Sequence, residues 1–318
     1  MKTQSIILMA CVALLLSACS QENAQSPTPA TVSAAALPSQ PSEEARVIRD
    51  ILLGLEKQKE QLQTQAQQIV QAAAQSKQPE KQAIVKLQST LKTHLAQYQR
   101  DLATLQKLRP QDEFTQIMQA DLIKRLETVI SPTETFVRTG EWEKMQALQD
   151  LLKKQPDLTV EAMLPKQWRF EAQFVKQPEI LLEAAALWEQ IRKVQDLLQL
   201  DIPPVDKNLS KQEKLNVIAD YLAQNSVNFE TLERDFAQLT LTQPEMQALR
   251  DAHIGILQGA RKKEAAIIQR LREGKTDKSH KTEQEKAAEN QVDENTEKIK
   301  QSVEKAVAVV EKARADLK

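Results

Sequence analysis

Ile84-Val85-Lys86-Leu87-Gln88-Ser89-Thr90-Leu91-Lys92-Thr93-His94-Leu95-Ala96-Gln97-Tyr98-Gln99-Arg100-Asp101-Leu102-Ala103-Thr104-Leu105 decides the fold class. Ile84, Leu87, Leu91, Leu95, Tyr98, Leu102 and Leu105 recur in steps of three and four, the spacing that places side chains on one stripe of an α-helix. A stripe this long must be covered by another helix. The nearest candidate precedes it: Ile48, Ile51, Leu52, Leu55, Leu62, Ala66, Ile69 and Ala73 line a first long helix, and Pro79 fits the opening turn of the second. Pro110 closes the second, because proline disfavours a helical residue before it and cannot donate within a helix. The pair reads as a helical hairpin.

The same pattern continues downstream. A third helix is predicted over residues 112–130, with Phe114, Ile117, Met118, Leu122, Leu126 and Val129 inward. Ser131-Pro132-Thr133-Glu134 then has the form of a capping box with proline in the first turn, so a new helix is expected to start there. Gly140, Pro156 and Pro165 break the region up to 177 into short helices. Pro178 opens a longer one carrying Leu181, Leu187, Trp188, Ile191, Val194 and Leu198, which Pro203-Pro204 closes. Ser210-Lys211-Gln212-Glu213 and Thr242-Gln243-Pro244-Glu245 are two more capping boxes, starting helices that are expected to end near Asn225 and Gly274, with a shorter helix from Phe229 between them. Only 5 glycines and 3% aromatics accompany the helix-forming residues. The expected fold is all-α, a bundle of long antiparallel helical hairpins with a detached C-terminal helix.

The chain opens with one positive charge, Lys2, and the apolar run of residues 6–16, followed by Leu16-Ser17-Ala18-Cys19. A basic tip, a short apolar core and small residues before a cut are the layout of a secretory signal peptide. The run falls short of the roughly 20 residues that a bilayer span needs. Leu16-Ser17-Ala18-Cys19 resembles the lipobox of bacterial lipoproteins. The resemblance implies cleavage before Cys19, acylation of its thiol and attachment to a membrane through that lipid. It implies further that Ser20, in the position where Asp often retains such proteins at the inner membrane, sends the chain to the outer membrane, facing the periplasm. Residues 20–41, rich in Ser, Pro, Gln, Thr and Ala, read as a flexible tether reaching at most about 75 Å. Cys11 falls in the discarded signal peptide and Cys19 is the other cysteine, so no thiol is left for a disulfide, a nucleophile or a thiolate metal site.

The remaining chemistry is sparse. Basic and acidic residues number 43 and 44, without a long basic face, which argues against nucleic acid as a partner. His94, His253 and His280 lack metal-ligand spacing, and no G-x-S-x-G, P-loop or glycine-rich cofactor turn is present. No metal, cofactor or catalytic residue is expected. His253 falls on an apolar seam, where a histidine is usually a packed side chain with one hydrogen-bond partner. Gly255-Ile256-Leu257-Gln258-Gly259 puts two glycines on one helix face, where another backbone could come close; Arg261, Lys262, Lys263 and Glu264 rule out a membrane-buried dimer motif. Trp142, Trp168, Phe170, Phe174 and Trp188 cluster in sequence, either as core filling for short helices or as the wall of a binding pocket.

These readings divide the chain into a signal peptide (1–18), a lipidated cysteine and tether (19–41), a helical body (42–273, with 42–205 and 206–273 as subdomains), a charged linker (274–290) and a C-terminal amphipathic helix (291–318). In that last helix Ile299, Val303, Ala306, Val310, Ala313 and Leu317 form a seam that needs a partner: another copy, an envelope protein, or the chain's own body. The expected function is that of a membrane-anchored, non-enzymatic scaffold or protein-binding module of the bacterial envelope. The alternative is a small-molecule or peptide binder, or a hydrolase, using an aromatic pocket in the 136–190 region.

Overall fold

The structure, a computed structural model, describes residues 37–38, 40–74, 79–141, 160–198, 204–274 and 282–317. Regular structure among them is entirely helical: α1 (Glu43–Ala74), α2 (Pro79–Leu105), α3 (Glu113–Thr139), α4 (Val160–Glu171), α5 (Pro178–Leu198), α6 (Lys211–Ala237), α7 (Pro244–Arg272) and α8 (Glu283–Arg314). Single 3-10 turns follow α4 and α8, at Ala172–Phe174 and Ala315–Leu317. The helices form two compact units, the first ending at Gln173 and the second beginning at Phe174. The boundary therefore precedes α5 and does not fall between 205 and 206. The reason is packing, since α5 lies against α6, α7 and α8.

In the first unit α1 pairs with α2, α2 with α3, and α4 lies on α3. Ser42 Oγ accepts from the Ala45 N–H at 3.1 Å at the head of α1, and Ile48, Leu52, Leu62, Ala66 and Ile69 are buried along its length. Leu87, Leu91, Leu95, Tyr98 and Leu105 of α2 are buried opposite, as their spacing predicts. Asp112 caps α3 by accepting from the Thr115 N–H at 2.8 Å. That helix does not stop at Ile130 and restart at Ser131: Pro132 lies inside it. A proline inside a helix costs about 3 kcal/mol. Continuing the helix keeps Val129, Ile130, Thr133 and the fully enclosed Phe136 on one buried face, and burying one such apolar side chain contributes about 1.5–3 kcal/mol. The Thr133 hydroxyl bonds back to Val129 O at 2.7 Å.

Glutamines finish the hairpin. At the end of α3, Gly140 takes a left-handed φ of 71° and donates to Phe136 O, while Gln88 of α2 donates to Phe136 O and Val137 O at 3.3 and 3.1 Å. Reciprocally, Gln119 of α3 donates to Leu105 O and Leu108 O at 2.6 and 3.2 Å. Each helix thus satisfies the open C-terminal carbonyls of the other.

The second unit repeats the strategy. Ser210 and Glu213 form a reciprocal capping box at the start of α6. The expected break between Asn225 and Phe229 is absent, because Leu215 and Ala219 share one buried face with Phe229, Leu232 and Phe236 and the helix runs straight to Ala237. Thr242 is not the cap of α7. Gln243 occupies that position, and Thr242 instead donates from its N–H and its hydroxyl to the Glu183 carboxylate of α5, both at 2.8 Å. At the far end of α7, Gln212 of α6 donates to Leu271 O and Arg272 O at 3.4 and 3.3 Å.

The C-terminal helix departs most from expectation. It begins at Glu283, within the stretch read as a charged linker, with Thr282 and Glu285 as a complete capping box. Nor is it detached, for it lies along α7 and also meets α5. Ala306, Val310, Ala313 and Leu317 are buried there, so the seam of 291–317 is covered by the chain's own body. The covered face includes polar members that an apolar count misses. Glu285 is buried and paired with Arg270 at 3.4 Å, Glu289 meets Lys263 at 3.0 Å, and Asn295 donates to Gln291 O at 2.7 Å. The two glycines of α7 set the approach. A Cβ added at Gly259 would stand 2.8 Å from Val292 Cγ2 and 3.3 Å from Ala288 O, and one at Gly255 would stand 2.5 Å from Asn295 Oδ1.

Gly259→Val should therefore destabilise the chain by about 1–3 kcal/mol through overpacking at α7 and α8. Gly54→Ala in α1, where an added Cβ meets nothing within 4 Å, should instead stabilise by about 0.5–1 kcal/mol through helix propensity. Urea unfolding followed by circular dichroism checks both, and equal tolerance of the two substitutions would refute the close contact.

Candidate functional site

Four helices of the first unit leave a cavity of about 210 Å³ between them. Leu52 and Leu55 of α1, Leu122, Leu126 and Val129 of α3, and Leu164 of α4 supply its apolar walls. Leu52 and Leu55 stand on successive turns of α1. The polar part comes from Glu56 and Lys59 of α1, Arg125 of α3, Gln167 of α4 and Tyr98 of α2.

These polar groups are connected. Gln167, itself buried, donates from Nε2 to Glu56 Oε1 at 2.9 Å and to Glu171 Oε1 at 2.8 Å, and Glu171 is wholly enclosed. Lys166 pairs with Asp121 at 2.8 Å, holding α4 on α3 beside the cavity. Arg125 Nη1 lies 3.5 Å from the Met163 sulfur. Tyr98 is 3% exposed and its hydroxyl has no hydrogen-bond partner. Burial pushes that phenol up to about 12, against the pull of the Arg125 charge and with a smaller push from Asp101. Asp101 is itself raised by burial, with Gln97 Nε2 donating to it at 2.7 Å.

The residues singled out from the sequence lie elsewhere. Cys19 and Trp142 fall outside the described residues. Trp168 and Phe170 are buried in the first unit, whereas Phe174 and Trp188, half-buried, belong to the second. None of these four walls the cavity. The cavity is instead built from leucines and from Tyr98, which was legible only as a member of the α2 seam. Glu56, Lys59 and Gln167 carried no signal at all, being ordinary polar residues of amphipathic helices.

Of the histidines, His253 is the packed residue its seam position implies. Its ring stacks on Phe236, centroids 5.6 Å apart and planes 7° from parallel, and Nδ1–H donates to Leu249 O at 2.9 Å. His94 is also buried, 3.5 Å from Gln65 Oε1, and His280 lies outside the described residues. Among the described residues no group of three or more His, Cys, Asp or Glu is placed to hold a metal ion.

Two groups of α7, the buried His253 and the half-buried Glu264, give a pH signature. Burial lowers His253 below its ordinary 6.5, outweighing the bond to Leu249 O, so the unfolded chain takes up a proton that the folded one refuses. That contribution is present above pH 6.5 and lost as pH falls below it. Burial raises Glu264 from 4.5 to about 7, so its contribution is present below pH 4.5 and lost as pH rises through 7. The two oppose each other between pH 5 and 7. His253→Leu should leave stability falling with rising pH across this window relative to wild type, and Glu264→Gln should leave it rising. Urea midpoints at four pH values decide, and parallel curves for the two variants would contradict these environments.

No protein-family model matches the chain, and neither a curated protein nor a solved structure matches it.

Proposed function

We propose that the chain is a lipid-anchored, non-enzymatic helical protein of the bacterial envelope, held on the outer membrane facing the periplasm, whose body acts as a scaffold or protein-binding module. The observation that carries this reading is Leu16-Ser17-Ala18-Cys19 placed directly after a basic tip and an eleven-residue apolar run. Two or three acyl chains on Cys19 would bury far more hydrocarbon than a single myristoyl group, at about 0.8 kcal/mol per CH₂, which makes the attachment stable. Among the described residues no helix is long and apolar enough to cross a membrane. The body offers helices whose apolar faces are turned inward. A partner protein or second copy would have to meet it elsewhere than the 291–317 seam, which α7 and α5 already cover.

The cavity of the first unit favours a second reading, that the anchored body binds a small molecule. Its leucine walls and few converging polar groups are the composition of ligand sites.

Cys19→Ala should abolish metabolic labelling with a palmitate analogue and leave an uncleaved precursor of higher mass. Continued labelling and processing of this variant would refute the anchor.

A further inference from the structure

We propose that the cavity of the first unit binds a small uncharged amphiphile, a hydrocarbon chain ending in a hydroxyl, of the size and character of heptanol. The proposal rests on the small-molecule reading and adds the ligand's chemistry. Folded interiors hold few voids larger than a water molecule. A dry apolar cavity of roughly 150 Å³ takes up benzene, so one of about 210 Å³ holds roughly eight non-hydrogen atoms on the same scale.

The wall has a floor and a rim. Leu52, Tyr98, Leu122, Leu126 and Val129 are buried and form the floor. Leu55, Glu56, Lys59, Arg125 and Leu164 are half-buried and form the part that meets water. The wall thus grades from apolar and enclosed to charged and wet, which orients an amphiphile with its tail inward. Tyr98 adds no charge to the floor, because burial raises its phenol to about 12 and keeps the proton on it.

The rim selects the head. It carries both signs, Lys59 and Arg125 against Glu56, and each of the three already has a partner in the protein. Gln167, a neutral amide, donates to Glu56 at 2.9 Å and leaves that carboxylate its charge. A carboxylate head would meet Glu56 as a like charge, and an ammonium head would meet Lys59 and Arg125. Either ion would give up hydration only to compete for groups that are already engaged. A hydroxyl both donates and accepts, so it fits a rim of mixed sign and brings no charge to desolvate. The uncharged head is the one this wall favours.

Isothermal titration calorimetry of residues 20–318, which include every described residue, with heptanol, heptanoate and heptylamine at neutral pH tests this. Heptanol should bind with a dissociation constant between about 10 µM and 1 mM, the range ordinary for a ligand of roughly eight heavy atoms. It should bind about tenfold or more tightly than either ion. Leu164→Trp, which fills the cavity from a half-buried position of α4, should abolish heptanol binding, and the smaller Leu164→Phe should weaken it about threefold or more. Circular dichroism identifies the variants that keep the parent fold, and Leu164→Phe decides alone if Leu164→Trp does not. Heptanoate or heptylamine binding as tightly as heptanol would overturn the uncharged head and leave the small-molecule reading standing. Heptanol binding that the folded Leu164 variants leave unchanged would overturn the placement in this cavity. Failure of all three compounds to bind would overturn the proposal and the small-molecule reading together.

Discussion

Every helix here carries one apolar stripe that water will not tolerate, and coverage of that stripe by a neighbouring helix is the constraint from which the rest of the structure follows. Isolated helices are marginal in water even at favourable composition, so most helical stability comes from burying the stripe. With aromatics at 3% of the chain, leucine, alanine and glutamine do this work. Leucine supplies area and alanine lets helices approach. Glutamine closes the ends, as in Gln88 and Gln119, which answer each other's helix termini across α2 and α3. The same device recurs at Gln212 on α7, so hairpin ends are tied by side chains and not by long capping loops.

Close approach has its own requirement in the second unit. Helix α8 is rich in charge and poor in large apolar residues, and a seam of alanines gains little unless the facing backbone comes near. Gly255 and Gly259 allow that approach, at a cost of about 1 kcal/mol each in helix propensity. The polar residues of α8 then find partners on α7. Arg270 reaches the buried Glu285, and Gln291 donates to Gly255 O at 3.3 Å.

What the sequence disclosed tracks this physics. The stripe of α2 and the one before it were readable because their members are large and apolar; Leu87, Leu91, Leu95, Tyr98 and Leu105 are buried as the spacing names them, while Ile84 and Leu102 are half-buried and Ala83, His94 and Asp101 are buried beside them. Pro132 misled because local chemistry favoured a helix start, whereas burial of Phe136 on a continuing face outweighed the proline. The beginning of α8 was illegible for the opposite reason. Thr282 and Glu285 form a proper capping signature, but the face behind them is built from Glu285, Ala288 and Asn295, which no count of apolar residues recognises. The cavity was hidden more deeply still. A void arises from what neighbouring helices fail to fill, and a single sequence reports which residues turn inward but not where four inward faces fall short of meeting.

Tyr98 shows how the two levels join. In the sequence it is one more member of a seam, interchangeable with the leucines above and below it. In the fold it stands where α1 and α3 do not close, so its ring is packed while its hydroxyl finds no acceptor. A leucine or phenylalanine at this position would satisfy the helix pattern equally well and would leave no polar group unmet. An unmet buried hydroxyl lowers the stability of the free protein.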